Sequence, residues 1–286
     1  MRVGTVKQIW RYPFKSMLGE LLEQTEVSPQ GVVGDRGWAV RDEVRGGITS
    51  AKKIPALMHC QARYPDSPTK EQIGPVEITV PDGTTFLSNG PDAAAQLSQA
   101  LAHQVSIWPI QPAENLEHYR RGKPTHSNPA EELRSLLGLE PDEPLPDLSI
   151  FPKEILQYAS PPGTYFDAFP LLLVTEASLQ QLQSLSPTSQ IDARRFRPNF
   201  LIETEEASGF VETSWPGKQL RIGNMILDVT MNCLRCVMTT LGCANLPKDP
   251  KIMRTLVREA NQNFGVYATV KTPGQVAVGD PVEILT

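Results

Sequence analysis

Residues 219–240 read QLRIGNMILDVTMNCLRCVMTT. Gln219–Ile222 and Met225–Met231 are strand-like runs joined by Gly223-Asn224, a linker of hairpin type. The second run leads straight into Asn232-Cys-Leu-Arg-Cys-Val-Met-Thr-Thr240, where two thiols flank an arginine. A thiolate beside a fixed cation is favoured as the anion and suits a soft metal centre. Three of the four cysteines fall here or just beyond, at Cys233, Cys236 and Cys243.

Outward from this point the chain is mostly strand and turn. In the N-terminal third, Val3–Trp10 and Leu21–Val27 read as strands. Trp38–Val40 and Ile48-Thr49 flank Gly46-Gly47 as one hairpin, and Val76–Val80 and Thr84–Leu87 flank Pro81-Asp82-Gly83 as another. Asp92–His103 carries a helical apolar face, and Val105–Pro109 returns to strand. Further on, Leu171–Val174, Phe200–Glu203, Val266–Lys271 and Val276–Leu285 are expected strands. Thr175 is a good N-cap for a helix over Glu176–Leu185, and Asp249 with Pro250 opens a helix whose apolar face is Ile252, Met253, Leu256, Val257 and Ala260.

Between these parts lies Gln111–Phe166, broken by nine prolines, with a helical pattern only at Ala130–Leu137. So long a loop in a compact fold tends to be a lid, a linker or a mobile segment, and this one is expected to cover the site in part. The domain boundary is placed at its start, giving units 1–110 and 111–286. Short strands at hairpin spacing with few helices imply a mainly β (α+β) protein: a β-barrel-like domain, a smaller N-terminal β-rich domain and a few peripheral helices.

Composition narrows the function. The chain has 286 residues and 26 prolines, and prolines at about twice the usual share favour short elements and turns. A net charge of −5 argues against nucleic acid as partner, since such affinity rests on neutralising phosphates. No apolar run approaches the roughly 20 residues that cross a bilayer, so no membrane partner is expected. Met1–Val6 enters a strand pattern without an apolar leader, and four unevenly spaced cysteines make no disulfide framework. These features read as a soluble, reduced, cytoplasmic protein.

Cys233-x-x-Cys236 with Cys243 falls short of a four-ligand zinc site, and a redox pair would need a βαβ setting. Two readings stay open: buried thiols without a role, or a single thiolate ligand, with Arg235 lowering its pKa and Thr239-Thr240 orienting it. Basic groups recur at strand ends, as Lys15-Ser16, Asp35-Arg36, Lys52-Lys53 and Arg194-Arg195-Phe196-Arg197, and such groups suit a phosphate. Asp167 sits among Phe166, Phe169 and Pro170, where burial would perturb its pKa. His59, His103, His118 and His126 show no ligand spacing, and neither a glycine-rich phosphate loop nor Gly-x-Ser-x-Gly occurs.

Four motifs in order, Tyr12-Pro-Phe-Lys-Ser16, Gly34-Asp-Arg-Gly-Trp38, Phe196-Arg-Pro-Asn199 and Leu234-Arg-Cys-Val-Met-Thr-Thr240, resemble those of the MOSC family in the form with an N-terminal β-barrel domain. Asn263–Tyr267 and Val278–Val282 are similar to its closing strands. The resemblance implies a molybdenum cofactor (molybdopterin), with Cys236 as the protein ligand to the metal. It also implies a pterin phosphate held by Lys15, Ser16, Arg36 and Arg197, with Asn199 nearby and Lys52 where relatives often carry arginine. Asp167 matches an acid close to the metal, and the implied role is proton relay. The implied activity is two-electron reduction of small N-hydroxylated or N-oxide substrates, with electrons from a separate electron-donor protein because no Cys-rich ferredoxin module follows the last strand. Ala168-Phe169-Pro170 depart from the small hydroxyl residue and Ser-Pro of relatives, so Phe169 would narrow that wall. The rival is a non-enzymatic carrier of the cofactor or of sulfane sulfur on Cys236. Pyridoxal phosphate binding, suggested by family analogy, finds no lysine placed for a Schiff base and ranks last.

Overall fold

Seven strands pair edge to edge until the last meets the first. A computed structural model describes residues 1–70, 72–204 and 208–285. In chain order the seven are β1 (Arg2–Arg11), β2 (Leu171–Thr175), β3 (Phe200–Thr204), β4 (Gln219–Ile222), β5 (Met225–Leu234), β6 (Asn263–Thr272) and β7 (Pro281–Leu285). Around the barrel the order is β3-β2-β6-β5-β4-β7-β1, and β1 closes on β3. Only β2 and β3 run parallel, with the helix Glu176–Leu185 between them; the other pairs are antiparallel. The hairpin that opened the sequence reading is here, with Ile222 opposite Met225.

Alternation explains the closure. Val6 and Ile9 of β1, Leu171 and Leu173 of β2, and Met225, Leu227 and Val229 of β5 point into one core, completed by the fully buried Trp215. A closed sheet leaves no barrel edge to pair with another chain. The mainly β, barrel-containing fold read from the sequence is the one observed.

β1 lies in the same sheet as strands from the far end of the chain, and Gly274–Ala277 pairs with Gln24–Ser28, so the two ends interleave. The single strand expected over Val276–Leu285 is therefore two. Gly279, at φ 91°, turns the chain between them and donates its N–H to Val6 O. The rest of the N-terminal part is a sheet of Gln61–Arg63, Glu77–Thr79 and Thr85–Leu87, a ladder of Trp38–Asp42 with Val105–Pro109, and the helix Ala93–Leu101. Their shared core takes in Met238, Leu241 and Cys243 from beyond β5.

The expected hairpin over Gly46-Gly47 is reduced to one bridge, Arg41 with Ile48. The buried Asp42 carboxylate accepts the N–H groups of Val44 and Arg45, each at 2.9 Å, and winds the chain into a turn. Strand Trp38–Asp42 takes Val105–Pro109 as its partner instead.

Thr175 caps its helix as expected, accepting the Ser178 N–H at 3.2 Å, and Asp249 accepts the Lys251 N–H at 3.1 Å at the start of Lys251–Ala260. The proline-rich segment forms three short helices, Leu116–Tyr119, Pro129–Leu137 and Lys153–Gln157, where one was expected. Tyr119 and Tyr165 anchor its ends, fully buried against Ala39 and Ile48, and His118 Nε2 lies 2.6 Å from the Tyr165 hydroxyl. Among the described residues no helix is long and apolar enough to cross a membrane.

Gly122 of this segment lies so close to the Gly46 turn that an added Cβ would stand 1.6 Å from Gly46 O. Gly122→Ala therefore lifts the segment without touching the barrel core. Trypsin should cut the variant several-fold faster at Arg120 or Arg121, with the main thermal transition little moved; unchanged cleavage would show that this contact does not hold the segment down.

Candidate active site

β1 leaves the barrel at Arg11, and the chain continues through Tyr12-Pro13-Phe14-Lys15-Ser16. Phe14 and Met17 are fully buried in the N-terminal core, and Lys15 and Ser16 between them line a cavity at the barrel end. The neighbouring loop brings Asp35, whose side chain is only 4% exposed. Its carboxylate accepts the Tyr12 N–H at 2.7 Å and the Asn199 amide at 3.1 Å, and it pairs with Arg36. Asn199 Oδ1 accepts the Leu172 N–H at 3.1 Å, which ties this node to β2. Asn199 lines the cavity, but its amide is spent on the protein's own framework.

Three cavity residues have left-handed backbones: Ser16 at φ 71°, Arg36 at φ 52° and Arg197 at φ 57°. Such conformations are costly for residues with a Cβ and gather where side chains must be aimed. Arg197 occupies its position as the cap of the short helix Ala193–Phe196. The guanidiniums of Arg197 and Arg36 lie 4.2 Å and 5.1 Å from the Tyr12 ring centroid. Arg197 Nη1 donates to Met17 O, while Nη2 is buried with no partner among the described residues. Burial, reinforced by Arg36, lowers its pKa to about 10, so it stays charged at neutral pH.

Arg195 also lines the cavity, but its donors go to the carbonyls of Gln190, Leu241 and Pro247. Arg235 was expected to serve the thiol of Cys236. It donates instead to Cys233 Sγ at 2.9 Å and Phe196 O at 2.7 Å. Thr239 and Thr240 likewise bond the carbonyls of Cys236 and Val237, fixing the backbone turn rather than the sulfur. The sulfurs separate clearly. Cys60, Cys233 and Cys243 are buried in packed clusters, and burial pushes the Cys60 thiol up to about 11. Cys236 alone is partly exposed, and it lines the cavity.

Asp167 sits between two lysines, 2.5 Å from Lys15 Nζ and 3.3 Å from Lys52 Nζ. Burial alone would raise its pKa, but the two ammonium groups outweigh this and hold it well below the usual carboxylate range. Burial lowers the pKa of Lys15, with Asp167 opposing. For Lys52 burial is outweighed by Asp167 and Cys236, and its pKa is raised. Lys52 does not line the first cavity. It opens onto a second, larger chamber of about 1730 Å³ including its mouth, which shares Lys15, Asp167 and Cys236 with the first. Phe169 lines the first cavity with its ring 5.1 Å from that of Tyr267, so the apolar wall expected after Asp167 is present. Asp35 and Tyr12, which set the others in place, fall inside the quoted motifs but were given no role there; an acid directly preceding a basic residue was the available signal.

Residues 3–119 match the family model of the MOSC N-terminal beta barrel domain, and residues 162–283 match that of the MOSC domain. The chain belongs to the MOSC family. Similar proteins include mitochondrial amidoxime-reducing component 1 of Mus musculus and of Homo sapiens, each 27% identical over 99% of this chain and over 83% and 84% of their own lengths. Mitochondrial amidoxime reducing component 2 of Bos taurus is 24% identical over 98% of this chain and 83% of its own. The crystal structure of the YUAD protein from Bacillus subtilis aligns over 98% of this chain and 94% of its own at 11% identity, with a TM-score of 0.44, a likeness too loose to bear on the site. In this MOSC chain, Lys15, Ser16, Arg36 and Lys52 come from the N-terminal match, and Asp167, Arg197, Asn199 and Cys236 from the MOSC match. Residues 120–161 lie outside both.

Asp167→Asn leaves buried Lys15 without its anion and should destabilise the protein by about 1–3 kcal/mol. The folded pKa of Asp167 is depressed, so its contribution is present above the unfolded value of 3.8 and is lost as pH falls through the lower folded value. The gap in Tm between wild type and variant should hold from neutral pH down to about 5 and close only in stronger acid. A gap that closes near neutral pH would refute the ion pair.

Proposed function

We propose that this chain is a molybdenum-cofactor-dependent oxidoreductase that reduces small N-hydroxylated or N-oxide substrates, with electrons delivered by a separate redox protein. One observation carries the reading: the partly exposed thiol, Cys236, stands on the wall shared by a cation-lined cavity and a larger chamber. The first cavity fits a phosphate-bearing cofactor. Five cationic side chains and one carboxylate line it, and the buried Arg197 Nη2 and Arg235 Nε have no partner among the described residues. Lys15, Ser16, Arg36 and Arg197 would hold the phosphate, and Cys236 Sγ would ligate the metal. Lys52 belongs to the other chamber and is better placed to meet substrate.

When bound, the cofactor supplies a two-electron redox centre suited to oxygen transfer from nitrogen. The overall change breaks an N–O bond, takes up two electrons and two protons, and releases an amine or amidine and water. This chain's part is to hold the protons. Lys15 lines both spaces and carries a proton at Nζ against Asp167 Oδ1. Asp167, kept ionised, acts by holding that ammonium in place rather than as a proton donor. The relatives' names support the substrate class. A pure carrier of cofactor or sulfur has no use for a second chamber beside its thiol, which favours turnover over carriage.

Cys236→Ser should lose most of the molybdenum and pterin that co-purify with the wild type, and Cys233→Ser should keep them. Metal analysis, pterin fluorescence after denaturation and benzamidoxime reduction with a suitable electron donor measure this. Wild-type protein free of both molybdenum and pterin would reject the reading, cofactor without reduction would leave the carrier, and loss confined to Cys233→Ser would move the ligand to the other sulfur.

A further inference from the structure

We propose that the substrate carries an anionic tail on an apolar body, and that Arg121 and Lys123 in the second chamber receive the tail; this rests on the reduction proposed above. The chain as a whole is acidic at −5, yet six cationic side chains and three carboxylates line this chamber. Each carboxylate is already engaged. Asp42 is held by His103 at 2.9 Å and Arg45 at 3.5 Å, Glu132 by Lys53 at 3.0 Å, and Asp167 by Lys15 and Lys52. Arg121 and Lys123 are left with no carboxylate within ion-pair distance among the described residues.

Arg121 is held for such a role. Its Nε and Nη2 donate to the carbonyls of Leu156 at 3.0 Å and Ile155 at 2.6 Å, which fixes the guanidinium plane and leaves Nη1 without a protein partner among the described residues. A preorganised guanidinium is suited to binding a carboxylate or phosphate. Leu133, Leu136, Leu148 and Leu156 line the same chamber, and Leu156 is 44% exposed. Apolar walls with a few fixed polar groups are the usual make-up of a small-molecule site.

The wall also falls where specificity would be expected to vary. Arg121, Lys123 and these four leucines all lie within residues 120–161, between the two stretches that match family models. The part of the site within the family matches would set the chemistry, and this intervening wall would choose among substrates.

The test compares 4-carboxybenzamidoxime with its methyl ester on the cofactor-loaded protein, on the Arg121→Gln/Lys123→Gln double variant and on Arg121→Lys. Calorimetry reads binding and steady-state kinetics read turnover, so the two can fail separately. The acid should bind at least about tenfold more tightly than the ester, with a matching difference in KM that shrinks as salt rises. The preference should fall to near parity in the double variant and persist in Arg121→Lys. Lys123→Gln alone, expected to lose part of the preference, serves if the double variant does not fold. Equal binding of acid and ester by the unaltered protein overturns the inference, whether or not either is reduced. A preference that survives both the double variant and Lys123→Gln overturns the assignment to these residues. Preferred binding of the acid with reduction of neither compound upholds the anion site and overturns the proposed reaction.

Discussion

The carboxylate of Asp35 holds the two halves of the molecule in register. It accepts from the Tyr12 backbone on one side and from Asn199 on the other, and it pairs with Arg36. Asn199 passes the constraint to Leu172 at the head of β2. Arg36 and Arg197, two like charges, can then both approach the ring of one tyrosine because an anion stands beside them. Their left-handed backbones cost about 1–2 kcal/mol each, and the buried node offsets that cost. Without it the cations would relax toward separate solvent-exposed positions, and the cavity would lose the concentrated positive field that marks it out.

Charge is arranged locally against the global sign. The acidic surplus of the chain lies away from two adjoining cavities in which lysine and arginine outnumber carboxylates. Asp167 divides them, ionised and gripped from both sides. An anion between two ammonium groups holds their positions better than a neutral neighbour would, since removing the carboxylate leaves the buried Lys15 ammonium unbalanced. Clefts of one sign also concentrate oppositely charged ligands before contact.

Much of this was legible in the sequence because it is local. The Gly223-Asn224 hairpin, the Thr175 cap and the apolar face of Lys251–Ala260 each depend on a few adjacent residues. Cys236 could be named among three neighbouring thiols only by family resemblance; its partial exposure beside buried Cys233 and Cys243 is a tertiary fact. Barrel closure was not readable, since the pairing of Ile9 with Phe200 leaves no mark on either strand alone. The Gly46-Gly47 turn misled because Asp42 winds it from outside the two glycines. Arg121 and Lys123 were not singled out, for the basic run Arg120-Arg121-Gly122-Lys123 in a proline-rich stretch reads as solvated surface. Arg235 shows the limit of adjacency: it neighbours Cys236 in the chain but aims its guanidinium at Cys233.

The place of β1 between β3 and β7 has a consequence for how the molecule is made. β1 precedes both of its barrel neighbours by most of the chain, and its register with Glu283 cannot form until β7 has been made. Until then only Ile9–Arg11 has a nearby partner, the short strand Glu20–Leu22, and the rest of an apolar strand has unpaired edges, a species prone to self-association. Non-local pairings of this kind also slow folding. Translation speed and chaperone supply, more than final stability, should therefore govern how much of this protein a cell obtains in native form.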